Sequence, residues 1–304
     1  MKKSLYTFIL SASELLASGL SVRETFYALS KIEEGDRTVK STGKEICSSL
    51  EDGSSLSDSF AKCQSLRFPA FYCGLISAME ESGSVNEAFS FLREDAETSV
   101  KHGESVMAAL VYPLFVILLA FASSLALCRF SSLFVMHESV NPLSGIIKGA
   151  VFLFVASALT LSFVFYCLSR NECLEACRVI HFLLLHGVPL ARALKNAILL
   201  CRDGSPVQKI LAQSLLDLQS GEELSKALKP LHTCASMYMQ FSQRTGNIAS
   251  AFLHLSNLLK SEQKKKETVC LSLLQPLLIV TVAVYIIILL KEIVIPVLFS
   301  TLVI

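Results

Sequence analysis

Tryptophan is absent from the 304 residues, no two cysteines stand as CxxC, and neither sign of charge is in excess, with 27 Lys and Arg against 26 Asp and Glu. Without Trp, an aromatic belt at a membrane surface would rest on a few Tyr and Phe. The ten cysteines include Cys173 and Cys177 on one helix face, but no second Cys or His pair stands at zinc spacing. They read as reduced thiols rather than as a metal or redox centre. The six histidines are scattered and form no HExxH-type pair. Basic and acidic residues are interspersed, so no nucleic-acid footprint is present. There is no P-loop and no GxSxG. The expectation is a protein that is not an enzyme and that uses no metal and no cofactor.

What the chain has is apolar sequence. Hydrophobic residues make up 52% and charged residues 17%. Much of the excess sits in three runs, at 108–128, 149–168 and 271–290. The first, AALVYPLFVILLAFASSLALC, has no formal charge; as a helix it would be about 31 Å long, roughly the hydrocarbon thickness of a bilayer. The three runs are expected to be membrane spans. They contain no acidic or basic relay of the kind a pump or an ion-coupled transporter needs.

The remainder is polar and helical in pattern, with no alternating run of β-branched residues. Leu5, Phe8, Ile9, Ala12, Leu15 and Leu16 share one face of a first amphipathic helix. Ser21 and Glu24 read as a capping box for a second helix that ends near Lys31. A loop at 33–37 precedes a helix over 38–51, and Ser54 is placed to cap the short helix after it. A segment from Pro69 to Ser82 leads to a second capping box, Ser84 with Glu87, whose helix is expected to run into the first span. Gly19, Gly53 and Gly83, with Gly187, Gly221 and Gly246, stand where left-handed helix stops are expected. Pro113 and Pro276 lie near the start of spans, as kinks or hinges. Lys264, Lys265 and Lys266 are placed for water or anionic headgroups.

Orientation follows from Lys and Arg. Eleven lie in 1–107 and thirteen in 169–270, leaving Arg129, Lys148 and Lys291 elsewhere. Both polar domains are therefore expected on the cytoplasmic side. The 129–148 link and the 291–304 tail would face outward, with Pro296 breaking the tail from the span.

The two polar domains look like copies. LLASGLSV (15–22) matches LLLHGVPL (183–190), and EDGSSLSDSF (51–60) matches QSGEELSKAL (219–228), both at an offset of 168. ESGSVNEAFSFL (81–92) then matches RTGNIASAFLHL (244–255) at an offset of 163, and Tyr112-Pro113 aligns with Gln275-Pro276 at the same offset. One five-residue deletion reconciles all four, the mark of an internal repeat.

Glu80 and Glu81 are the chain's candidate contact residues. They fall in the last turn before Gly83, where acids oppose the helix dipole. They are either a solvated helix end or the holders of a fixed ion pair, a cation or a partner's basic group. Their counterparts are Gln243 and Arg244.

These segments together resemble the GspF/PilC family of inner-membrane platform proteins. The resemblance rests on LLASGLSVRETF, DGSSLSDSF, AMEESGSVNEAF and ALVYP in the first copy, and on LLLHGVPLARAL, SGEELSKAL, SQRTGNIASAF and LLQP in the second. Met79 stands where the family usually has Gly, and the second copy lacks both acids. The sequence also starts at the first domain, where many members carry a longer N-terminal segment, so a divergent member is expected. The resemblance implies an all-α, multi-pass protein of the bacterial inner membrane, with three spans, two homologous cytoplasmic helical-bundle domains and a cytoplasmic N-terminus. It implies a platform for type II secretion or type IV pilus assembly. The implied partners are a cytoplasmic assembly ATPase, pilin or pseudopilin subunits, other inner-membrane assembly proteins, the lipid bilayer and further copies of the chain. It assigns domain or partner contacts to Glu80 and Glu81, the turn to Gly83 and a bend to Pro113. A membrane scaffold for an unrelated cytoplasmic partner is the alternative; a small transporter is a more distant one.

Overall fold

A computed structural model of the chain describes residues 3–32, 36–134, 142–167, 171–291 and 295. Among these residues the regular structure is helical throughout, with no strand. The contacts divide the chain into two units, one of residues 1–101 with 171–262 and one of residues 102–170 with 263–304.

The first copy contributes α1 (Lys3–Ala17), α2 (Val22–Lys31), α3 (Arg37–Glu51), α4 (Leu56–Lys62), α5 (Ala70–Glu81) and the start of α6 (Val85–Phe134). The second contributes α8 (Glu172–Leu185), α9 (Leu190–Leu200), α10 (Pro206–Gln219), α11 (Leu224–Ala227), a 3₁₀ turn at Lys229–Leu231, α12 (Ala235–Thr245) and the start of α13 (Ile248–Leu289). Between them lies α7 (Pro142–Cys167).

Caps and glycines set the helix ends. Ser21 and Glu24 form a reciprocal capping box on α2: the Ser21 hydroxyl accepts from the Glu24 amide while the Glu24 carboxylate accepts from the Ser21 amide. On α4 the cap is Ser55, one residue beyond the expected Ser54; its hydroxyl accepts from the Asp58 amide at 3.1 Å. Asp36 caps α3 through the Thr38 amide, so α3 begins at Arg37. Gly19, Gly53, Gly83, Gly187, Gly221 and Gly246 have φ between 73° and 94°.

Core positions of the two copies fall in register. Phe26 and Leu194, or Phe60 and Leu228, stand at the offset of 168, and Phe89 and Phe252, or Leu92 and Leu255, at the offset of 163; all eight are at most 1% exposed. The first copy fills its centre with rings, Phe8, Phe26, Phe60, Phe68 and Phe89, whose neighbouring centroids lie 4.3–6.1 Å apart. The second keeps a ring at Phe252 but has Ala176, Leu194 and Leu228 where the first has Phe8, Phe26 and Phe60, so the same helix order tolerates a different filling.

In the other unit, α6, α7 and α13 expose large apolar side chains such as Leu114, Phe154, Leu159 and Ile287. Tyr285 of α13 is buried here. Its hydroxyl donates to the Ala120 carbonyl of α6 at 3.2 Å, and its ring lies so close to Gly149 of α7 that a Cβ there would be 3.1 Å away. Small residues allow such close helix approach where no hydrophobic effect drives packing. Among the described residues one helix, α13, is long and apolar enough to cross a membrane by length and composition. The helices α6 and α7 reach into the expected link at 129–134 and 142–148. Residues 135–141, and residues 292–294 and 296–304 of the tail, Pro296 among them, lie outside the described residues. Pro276 lies inside α13; the side chain of Pro113, within α6, lies outside the described set.

Candidate functional site

The acid pair sits where the two copies meet. The C-terminus of α5 closes with the Ser84 amide on the Met79 carbonyl at 2.9 Å and the Gly83 amide on the Glu80 carbonyl at 3.2 Å. This double bond requires a left-handed residue at Gly83, φ 73°. The turn fixes the last helical residues, Glu80 and Glu81, which leave α5 in different directions.

Glu80 turns back into the first copy. Its carboxylate accepts from the Leu56 amide at 2.8 Å and the Ser57 amide at 3.3 Å. Both belong to the first turn of α4, whose free N–H groups and positive dipole end favour an anion. An acid placed badly for its own helix is thus placed well for a neighbouring one.

Glu81 faces the second copy. Arg192 of α9 holds it through both guanidinium nitrogens: Nη2 donates to Oε1 at 2.7 Å, and Nη1 pairs with Oε2. Arg192 Nη2 also donates to Ser77 Oγ at 3.1 Å. The Glu81 side chain stays 66% exposed, so the pair orients the contact more than it stabilises it, at roughly 0–1 kcal/mol.

Beneath this pair the helices touch. Gly74 of α5 lies against Asn196 of α9, a buried residue whose amide donates to the Arg192 carbonyl at 3.2 Å. Further along, Arg178 of α8 donates to Glu94 of α6 at 2.9 Å and to Glu175 at 3.3 Å. It also lies over the Phe91 ring, which stacks on Phe182 with centroids 4.4 Å apart. The contact is thus an apolar strip with an arginine from the second copy at each end, each holding an acid of the first.

Arg178, Gly74 and Asn196 lie in none of the segments that carry the resemblance, and Arg192 lies inside LLLHGVPLARAL with nothing in the spacing to mark it. Arg192 and Glu81 are 111 positions apart, and only packing reveals the pair. Gln243 and Arg244, the second-copy counterparts of the acids, stand exposed at the end of α12.

A separate carboxylate, Glu45 of α3, organises the loop after α4. It accepts from Cys63 Sγ at 3.1 Å, from the Gln64 and Ser65 amides at 2.8 and 3.2 Å, and from the Ser65 hydroxyl. Partial desolvation pushes its pKa up, but these four donors outweigh it and hold it at about 2. Burial first, and then Glu45, push the Cys63 thiol up to about 11. The eight described cysteines are free thiols. Among the described residues no group of three His, Cys, Asp or Glu is arranged to hold a metal ion.

With this geometry in view, the sequence matches the family described as Type II secretion system (T2SS), protein F, twice, over residues 8–130 and 176–296. The two matches start at corresponding points of the two copies and together cover most of the chain. The protein belongs to this family, the one the GspF/PilC resemblance indicated, and is in general terms a platform-type protein of type II secretion or type IV pilus assembly. No curated protein matches the sequence.

Proposed function

We propose that the chain is a non-enzymatic, multi-pass platform of the bacterial inner membrane, which couples a cytoplasmic assembly ATPase to the insertion of pilin or pseudopilin subunits into a filament. The observation that carries this reading is the twofold family match, each half of which begins in a helical bundle and ends within a long helix, α6 in the first and α13 in the second. Three spans at 108–128, 149–168 and 271–290 would put both polar domains, 1–107 and 169–270, in the cytoplasm with the N-terminus. The 129–148 link and 291–304 tail would lie outside.

In this reading the docked pair of bundles is the surface an ATPase works against. Glu80 ties α5 to α4, Glu81 ties the first copy to the second, and α6, 50 residues long, begins in the first bundle and continues into the apolar run at 108–128. Gly83 makes the turn from which α6 starts, and Pro113 supplies a bend. A push on either bundle is then shared by both before it reaches an apolar helix.

Deletion of the gene in its native host, followed by complementation, tests the proposal. Surface filaments or secreted cargo should be lost and then restored by the wild-type chain. A deletion that leaves both intact contradicts it. Reporter fusions at 101, 138 and 262 test topology, and an outward reporter at 101 or 262 contradicts the proposed orientation.

A further inference from the structure

Each bundle presents two faces to a possible neighbour, and only one face of each is used inside the protomer. The first copy uses α5 with the start of α6, and the second uses α9 with α8. Through the internal repeat, α5 corresponds to α12 and α9 to α2. In the protomer α2 packs on α1 and α3, and α12 on α11. Their counterpart faces remain open: on α2 Glu24 is exposed and Ala28 half-buried, with Tyr27 exposed at the edge of the face, and on α12 Met237 and Phe241 are 48% and 63% exposed.

The residues on these open faces are complementary in two independent ways. In the internal contact, the acid Glu81 on α5 meets the base Arg192 on α9. At the corresponding positions α12 carries the base Arg244 and α2 carries the acid Glu24, so the pair is present with its charges exchanged. Size is exchanged as well. The internal contact sets the small Gly74 of α5 against the larger Asn196 of α9. The corresponding residues are the larger Met237 on α12 and the small Ala28 on α2. Two faces that kept the internal geometry would therefore meet as base to acid and as large to small.

We propose that α12 of one protomer docks on α2 of a second copy of this chain, repeating between molecules the α5–α9 contact made within each. The contact is head-to-tail. Two-fold pairing of like faces would set Arg244 against Arg244 or Glu24 against Glu24, which charge repulsion disfavours. A head-to-tail contact leaves one free face at each end and so builds a ring or an open row. Glu24 is available for this role while it caps α2, because both of its contacts to Ser21 use Oε2. Among the described residues Arg244 has no ion pair. The inference does not depend on secretion or pilus assembly, and it stands or falls separately from the platform reading.

The test uses the full chain in detergent and in lipid nanodiscs. Isotope-labelled and unlabelled protein are mixed, with a benzophenone amino acid in place of Tyr27. Crosslinks between labelled and unlabelled chains are expected within 235–245. Arg244→Glu should weaken self-association roughly tenfold or more, as expected for a close charge pair at an interface. Arg244→Glu combined with Glu24→Arg should restore it. Because Glu24→Arg also removes a capping acid, Phe241→Ser provides a second lesion on the open face, with helicity measured by circular dichroism. A wild-type protein that is monomeric at every concentration, intermolecular crosslinks that fall outside α12, or Arg244→Glu and Phe241→Ser variants that stay folded and associate unchanged would each overturn the proposal.

Discussion

Alanine at Gly74 should destabilise the protein, although alanine is ordinarily the better helix former. Gly74 lies inside α5, where the exchange would gain about 0.5–1 kcal/mol from backbone entropy alone. A Cβ at this site would stand 2.3 Å from Asn196 Oδ1 and 3.1 Å from Leu199 Cδ1. Asn196 is buried, and its amide is engaged by the Arg192 carbonyl, so it moves only by giving up that bond or by pushing α9 away. Such overpacking costs about 1–3 kcal/mol, leaving a net loss of about 1 kcal/mol at the middle of these ranges, and up to about 2.5, once the helix gain is subtracted. In an Asn196→Ala background the closer obstruction is gone and only the end of the Leu199 side chain has to give by a few tenths of an ångström, so the same Gly74→Ala exchange should become neutral or raise stability by up to about 0.5–1 kcal/mol. The assay is thermal unfolding of the full chain in detergent, followed by a thiol-reactive dye. Cys173, Cys177 and Cys201 are buried free thiols that report unfolding without tryptophan. Gly74→Ala should lower the midpoint by roughly 2–8 °C at this size. A higher midpoint in the wild-type background, or additive effects of the two exchanges, would refute the close packing of the copies.

Other consequences follow from the same geometry. Replacing Glu81 and Arg192 singly and together by Ala should give a coupling of about 0.5–1 kcal/mol in a double-mutant cycle, shrinking as salt is raised; zero coupling at low salt would remove the ion pair. Glu80→Ala strands the Leu56 and Ser57 amides at the start of α4 and should cost about 1 kcal/mol, whereas Glu80→Gln keeps one acceptor oxygen and should cost less; equal losses in thermal unfolding would count against the cap. The pKa of Glu45 is depressed from the usual 4.5 to about 2 in the folded chain, so the unfolded state binds its proton first as pH falls. Its stabilisation is present above about pH 4.5 and fades toward pH 2, and a Glu45→Gln variant should converge with wild type over that window; a constant gap in midpoint across it would contradict the four-donor cage. Tyr285→Phe should cost about 0.6 kcal/mol in the apolar unit, measured by unfolding in mild detergent; no change would mean that its hydroxyl bond to Ala120 contributes nothing.

Local physics was legible in the sequence and long-range pairing was not. Ser21 with Glu24, three positions apart, announces its own capping box because both partners lie in one turn. The face Leu5, Phe8, Ile9, Ala12, Leu15 and Leu16 announces burial through its spacing; all but Leu15, which is half-buried at the edge of the face, are buried. The cap of α4 was less determinate: Ser54 and Ser55 have equal chemistry, and only the backbone at Ser55 presents its hydroxyl to the Asp58 amide. Glu80 and Glu81 were conspicuous as acids at the wrong end of a helix. Their partners were not, because the α4 amides are shared by every sequence and Arg192 is one arginine among many until α9 is laid beside α5. Core filling behaves similarly. The offset predicts that Phe26 and Leu194 correspond, but it does not predict that rings crowd the first bundle while Phe252 alone of the matching sites keeps a ring in the second.

The most direct measurement is affinity capture of the full chain from native membranes after in-cell crosslinking, with wild type compared with Glu80→Ala/Glu81→Ala by mass spectrometry. The platform account predicts an assembly ATPase and pilin-like proteins with the wild type, and a reduced yield of at least one of them with the variant. Wild-type capture of unrelated cytoplasmic proteins, with neither class present, would contradict it and leave a membrane scaffold in its place.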